Sequence, residues 1–286
     1  MTGRQQLQAR SKDIGGLAVR RLLPAAQRQA VGPFLFLDHF GPVELAAGGA
    51  SDVRPHPHIG LATVTYLLDG ALLHRDSTGA VQRIEPGAIN WMTAGRGIVH
   101  SERAPADLRA HPRRLHGVQL WSALPAADEQ AEPHFQHAAA ATLPRIELGG
   151  ATVGLLVGSA FGASSPVATR SPTLLLDIAL RAGAQLPLPP APERAVYGVD
   201  QPFLLGGEPV APLQLVVLAA DEVVALGAPA PARVLLLGGA PLGRRLMWWN
   251  FVSSSREPIE QAKADWRAQR FTPVPGETEF VPLPDA

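Results

Sequence analysis

Cysteine is absent from the 286 residues. That excludes a disulfide framework, Cys-ligated zinc, an iron–sulfur cluster and a thiol nucleophile, and leaves nitrogen and oxygen donors for any metal. Net charge is absent as well, because 25 Lys and Arg balance 25 Asp and Glu. Direct nucleic-acid binders normally carry a basic excess that displaces phosphate counterions, so no nucleic-acid partner is expected. No apolar run approaches the ~18 residues of a membrane span. Met1-Thr2-Gly3-Arg4-Gln5-Gln6 leads into polar sequence without the apolar stretch of a signal peptide. A cytoplasmic protein without a membrane partner is therefore expected.

Gly and Pro, 28 of each, are plentiful and dispersed between short apolar runs, and hydrophobic content is 46%. This argues against disorder and for an all-β sandwich or barrel, of one large or two medium domains by length. In the first half the runs are Leu61 to Leu68, Leu72 to His74, Val81 to Ile84, Ala88 to Met92, Ile98 to Glu102 and Leu115 to Trp121. Asp69-Gly70 has the form of a tight hairpin turn, and the series predicts a meander folded into a barrel. Residues 123–143 read as a linker, with Pro125, Pro133 and Pro144 around an alanine run. Beyond it a second series follows: Ala151 to Val157, Thr173 to Leu180, Gln214 to Leu218, Glu222 to Leu226 and Arg233 to Leu237. The two series suggest an internal structural repeat. One helix is predicted near the end, with Ser254 and Glu257 as a capping box and Ile259, Ala262 and Trp266 on its apolar face.

All nine histidines lie at or before His137, so imidazole chemistry belongs to the first half. His56 and His58 are two apart, and so are His100 and Glu102. In an extended chain residues i and i+2 point to the same side. If the two segments are neighbours and both pairs face inward, three imidazoles and a carboxylate converge. That donor set suits Fe, Ni, Cu, Zn or Mn, and four ligands around a six-coordinate ion leave two positions open for chemistry.

The residues resemble a family at this point. His56-Pro57-His58-Ile59-Gly60 through Asp69-Gly70 resembles the first metal motif of the pirins, a branch of the cupins, and Asn90-Trp91-Met92 through His100-Ser101-Glu102 resembles the second. Phe34-Leu35-Phe36-Leu37-Asp38-His39-Phe40-Gly41-Pro42 is similar to the opening pirin segment, and Met247-Trp248-Trp249-Asn250-Phe251 through Trp266 to the C-terminal signature. The resemblance implies a bicupin: two antiparallel β-barrels (double-stranded β-helix folds) face to face, with a short C-terminal helix. It places a metal-binding domain over residues 1–138 and a domain without ligands over 139–286. The implied ligands are His56, His58, His100 and Glu102, and the usual metal is iron, here Fe(II). The sequence departs from the general cupin motif, which has a glutamate where Ala62 and Thr63 stand, so Glu102 is left to complete the set.

The implied activity is that of a quercetin 2,3-dioxygenase, with a flavonol and O2 as substrates and Glu102 as the base that takes the flavonol hydroxyl proton. The alternative is a non-enzymatic, iron-dependent regulator that binds transcription factors or metabolic enzymes. A monomer is expected. Other candidates have plainer readings. His74-Arg75-Asp76 reads as a strand end, Arg103, Arg109, Arg113 and Arg114 near His111 as a solvated loop, and Asp38 and His39 as a hydrogen-bonded turn. Trp248, Trp249 and Trp266 read as interdomain core, and Trp91 or Met92 as lining the mouth of the site.

Overall fold

Strands dominate the chain, as the spacing of Gly and Pro predicts. The computed structural model describes residues 3–14, 16–49 and 51–284. The first twelve strands are β1 (Gln5–Gln8), β2 (Arg10–Ile14), β3 (Leu17–Leu23), β4 (Phe34–Leu45), β5 (Val53–His58), β6 (Leu61–Asp69), β7 (Leu72–Asp76), β8 (Val81–Ile84), β9 (Ile89–Thr93), β10 (Ile98–Arg103), β11 (Arg113–Ala123) and β12 (His134–Ala138). Two compact units are assembled from interleaved stretches. One comprises Ser11–Arg20, Leu37–Ala140 and Leu242–Ala286, and the other Met1–Arg10, Arg21–Phe36 and Ala141–Pro241.

The first unit combines a sheet of order β12-β9-β6-β11-β4-β3-β2 with one of order β5-β10-β7-β8. Phe40, Leu67 and Leu115 of the larger sheet pack with Leu72 and Ile84 of the smaller, so apolar faces join them. The expected meander is corrected here. Asp69-Gly70 does not close a hairpin, because β6 and β7 belong to different sheets. Gly70 has φ +85°, and a Cβ there would lie 2.3 Å from the carbonyl oxygen of Arg114. The turn is thus a tight corner between sheets, open only to glycine.

The second unit has a sheet of seven strands, including Ala151–Val157, Thr173–Leu180, Glu193–Gly198, Gln214–Val217 and Ala232–Gly239, and one of four. This matching make-up agrees with the suggested repeat. Its interior is mostly aliphatic, with Val153, Leu176, Val196, Leu226 and Leu236 all buried around Phe203.

The expected linker is also corrected. Residues 123–143 include β12, which pairs in antiparallel register with β9 from His134 against Thr93 to Ala138 against Ile89. They also include Glu129, which is 5% exposed. Glu129 accepts hydrogen bonds from Ser253 Oγ at 2.8 Å and from the Ser254 amide, and Arg245 Nε lies 3.0 Å from its Oε1. Arg245 also donates to the carbonyl of Leu124. This buried pair fastens the returning C-terminal segment to the unit.

It also explains why the expected cap is displaced. Ser254 is engaged by Glu129, so the N-cap is Ser255 and the helix runs Arg256–Arg267. Its buried residues are the expected Ile259, Ala262 and Trp266. Trp248, Trp249 and Trp266 pack with Ile59, Val99 and Phe251 inside this unit, rather than forming the expected interdomain core. Removing one member of a buried ion pair leaves the other uncompensated. Glu129→Ala should lower stability by about 3 kcal/mol, read as an earlier urea midpoint; an unchanged midpoint would contradict the fastening role.

Candidate metal centre

His56 and His58 end β5, and the pair His100 and Glu102 lies on β10. The two strands are antiparallel neighbours, with His100 opposite His56 and Ile98 opposite His58. Register alone therefore brings the imidazoles together. Donor atoms of His56, His58 and His100 all lie within 4.8 Å of one another. Among the described residues this is the one such group of three or more His, Asp or Glu side chains.

Glu102 does not belong to that close group. The register with β5 shifts by one residue at Arg54-Pro55, so Glu102 stands opposite Val53. Along β7 the register is unbroken, with His100 opposite Asp76 and Glu102 opposite His74, so Glu102 keeps the two-residue step from His100. The Glu102 carboxylate instead accepts a hydrogen bond from Thr65 Oγ1 at 2.8 Å. Burial pushes its pKa up, against the Thr65 hydrogen bond that pulls it down.

The outer ring nitrogens decide which way the three lone pairs point. His56 Nδ1 donates to the carbonyl of Arg54 at 2.8 Å, and His58 Nδ1 donates to the carbonyl of Asn250 at 3.2 Å. A carbonyl only accepts, so both rings carry their proton on Nδ1 and leave Nε2 as a lone pair. The strand Phe251–Ser253, which follows Asn250, comes this close because residue 60 is glycine. Gly60 has φ +68°, and a Cβ there would sit 2.0 Å from the Val252 carbonyl.

His100 is oriented through a chain of two further groups. Asp76 Oδ2 accepts from His74 Nε2 at 2.9 Å, which leaves His74 Nδ1 to face His100 Nδ1 at 3.5 Å. His100 thus keeps its proton on Nδ1 and also presents Nε2. Asp76 is held in place by the Thr78 amide and hydroxyl. Burial would raise its pKa, but the hydrogen bonds from His74 and Thr78 hold it below the ordinary value.

The result is a donor set that fits a cation. His58 Nε2 and His100 Nε2 are 3.1 Å apart, and two lone pairs at that distance repel unless a positive charge sits between them. Burial keeps the imidazoles neutral: His56 falls to about 4, chiefly by desolvation, against its hydrogen bond to Arg54 and helped by the nearness of His74, and His58 and His100 fall well below the usual value, chiefly by desolvation and then by neighbouring imidazoles. Neutral imidazoles with carbonyl- and carboxylate-fixed outer nitrogens are what a divalent metal requires. The set is therefore able to bind a metal.

Several surroundings were not read from the sequence. His74 is 3% exposed and part of the site, not a plain strand end; the signal was its spacing of two from Asp76, the same alternation that marked the ligands. Trp121 packs edge-on to His58 at 5.3 Å, and Phe135 stacks on His74 at 4.4 Å. Trp91 and Met92 are both buried, at 3% and 1% exposed, which places neither at a mouth. Asp38 and His39 lie within β4 rather than in a turn, with His39 Nε2 2.7 Å from His116 Nε2. Arg103 is not in a solvated loop: it is on β10, where its Nε donates to Glu277.

The family model "Pirin" matches residues 16–122, and "Pirin C-terminal cupin domain" matches residues 175–272. A Caulobacter vibrioides "Pirin-like protein" is 46% identical over 282 residues, covering 97% of this chain and 98% of that one. The chain belongs to the pirin family. Another relative in the family, from Pseudomonas aeruginosa and named "Putative quercetin 2,3-dioxygenase PA1205", is 42% identical over 92% of this chain and 83% of its own. The crystal structure of an Acinetobacter baumannii quercetin 2,3-dioxygenase superposes with a TM-score of 0.92 at 34% identity, covering 99% of this chain and 96% of that one. These relatives establish the bicupin fold of this pirin. No helix among its described residues is long and apolar enough to cross a membrane.

Two outcomes are expected. Asp76→Asn removes the acceptor that sets the His74 and His100 tautomers, and should weaken Ni(II) binding by about 10- to 100-fold in a chelator competition; unchanged affinity would contradict the relay. In metal-free protein, the three imidazoles have lowered pKa values. Below about pH 6.5 the unfolded chain then binds protons that the folded chain does not, so stability present above that pH is lost as pH falls. Glu102, with a raised value, works in the opposite sense and offsets part of one imidazole. The melting temperature should fall between pH 7 and 5, and more steeply than in His100→Asn.

Proposed function

We propose that this pirin is a metal-dependent dioxygenase of the quercetin 2,3-dioxygenase type, acting on a flavonol and O2. The ligands are His56, His58, His100 and Glu102, all within residues 1–138, and residues 139–286 supply none. The observation that carries the reading is the buried set of three neutral imidazoles with fixed tautomers, beside a buried carboxylate. The 42% identical Pseudomonas relative bears the name of that activity.

Fe(II), when bound, supplies a Lewis acid and one-electron exchange with O2 for oxidative ring cleavage. The three imidazoles hold the cation from the β5–β10 side. Glu102 receives the proton of the flavonol hydroxyl at its carboxylate, a role suited to a carboxyl whose pKa burial has raised. Trp121 and Phe135 wall the imidazoles with aromatic surface, which keeps water from the rings and suits a flat aromatic substrate. Asp76 and His74 hold His100 in one tautomer throughout.

Chelator-stripped protein reloaded anaerobically with Fe(II) should consume quercetin in air and release carbon monoxide, and stripped protein should not. Glu102→Gln should retain the metal and lose roughly 100-fold or more in turnover. Absence of carbon monoxide from the reloaded wild-type chain would overturn the dioxygenase reading. Undiminished turnover by Glu102→Gln would overturn the base role.

A further inference from the structure

Strand β10 carries His100 and Glu102 on one side, and alternation puts Val99, Ser101 and Arg103 on the other. That other side is covered by the end of the chain. Ile59 and Val99 pack there with Ile259, Ala262 and Trp266 of the helix and with Val274 beyond it.

The segment after the helix then bonds to both strands that carry the imidazoles. Glu277 accepts from Ser101 Oγ at 2.8 Å and from Arg103 Nε at 2.9 Å, and Arg103 Nη2 donates to its second oxygen. Ser101, which stands between His100 and Glu102, is fully buried, and the Glu277 side chain is 9% exposed. An arginine that meets a carboxylate through two nitrogens makes one of the stronger and more directional contacts in a protein. Arg103 is braced in turn by Asp52, whose carboxylate also accepts from the Ala104 amide at 2.8 Å. Four residues beyond Glu277, the Val281 amide donates to the carbonyl of Pro55, next to His56 on β5, at 2.8 Å. The Val281 carbonyl accepts from Trp266 Nε1 at 3.0 Å, which ties this stretch back to the helix.

We propose that residues 274–281 form a strap, keyed by Glu277, that positions β10 and β5 for metal binding and whose docking is coupled to occupancy of the metal centre. This rests on the metal-centre reading and not on the dioxygenase reading. Glu277 is a positioning residue, acting through Ser101 and Arg103 on the strand that presents His100 and Glu102. Metal–ligand distances hold to about 0.2 Å, so a small drift of β10 against β5 spoils the common aim of the three rings. The coupling is reciprocal: whatever affinity is lost when the strap is released must return as a tighter strap when the metal is bound.

Ni(II) affinity of the folded protein, by chelator competition, and amide exchange at Val281 read this coupling from its two ends. Glu277→Ala should bind Ni(II) about tenfold more weakly than the wild-type chain, and Glu277→Gln, which keeps one acceptor oxygen, should lose less. Glu279→Gln removes an exposed partner of Arg103 and leaves Ser101 held; it should stay within about twofold of wild type. In the wild-type chain, saturating Ni(II) should slow exchange at the Val281 amide by about the same tenfold, with no change at the Gly87 amide, which is bonded to Leu67. If neither Glu277 variant folds, the exchange measurement on the wild-type chain decides alone. Unchanged Ni(II) affinity in folded Glu277→Ala, even with an earlier urea midpoint, makes Glu277 a structural tie only and overturns the inference. An equal loss in Glu279→Gln overturns it too, as does Val281 exchange that Ni(II) leaves unchanged or slows no more than at Gly87. Wild-type protein that takes up no Ni(II) overturns the metal centre and this inference together. Quercetin turnover enters neither measurement, so failure of the dioxygenase reading is seen separately.

Discussion

Three neutral imidazoles aim lone pairs at one point, and the surrounding structure is arranged around the cost of doing so. Two of those nitrogens, on His58 and His100, are 3.1 Å apart. Left free, either ring would flip its tautomer or tilt away to place a proton between them. The fold prevents this from outside, with the Arg54 carbonyl on His56, the Asn250 carbonyl on His58, and Asp76 acting through His74 on His100. Burial closes the other escape, because desolvation resists protonation of the rings. The repulsion that remains is the kind a divalent cation relieves, which is why the donor set fits one.

The two units show how a shared architecture divides labour. Each has one sheet of seven strands and one of four. One interior is filled by Val153, Leu176, Val196 and other aliphatic side chains, and close packing there leaves no place for unpaired donors. The other spends part of its interior on His58, His74, Asp76 and His100, each at or below 3% exposed. Such polar interiors are tolerated only when their donors and acceptors are matched. The long reach of those matches, from β5 to the C-terminal strand and from β10 to β7, is the structural expense of the site.

The convergence of the imidazoles was legible because two local facts combine: i and i+2 share a face, and β5 happens to be the neighbour of β10. The first is written in the spacing of His56, His58 and His100. The second depends on strand order, which spacing does not encode. Glu102 shares the same spacing and keeps its two-residue step along β10, opposite His74 of β7; its carboxylate meets the Thr65 hydroxyl and is not one of the three donors that lie within 4.8 Å of one another. Asp69-Gly70 and residues 123–143 misled for a related reason. Their composition describes local turns, whereas sheet membership was set by partners far along the chain, Arg114 in one case and β9 in the other. His74 was dismissed for the opposite reason, since its importance lies in touching His100 rather than in any motif of its own.

The partner that fixes His58 lies 192 positions later in the chain. A growing polypeptide exposes His56, His58 and His100 long before Asn250 is made, and domains begin folding during synthesis. Until the segment holding Asn250 docks beside Gly60, the Asn250 carbonyl cannot fix the His58 ring. The fixed aim of the trio is thus tied to a segment made long after its three rings.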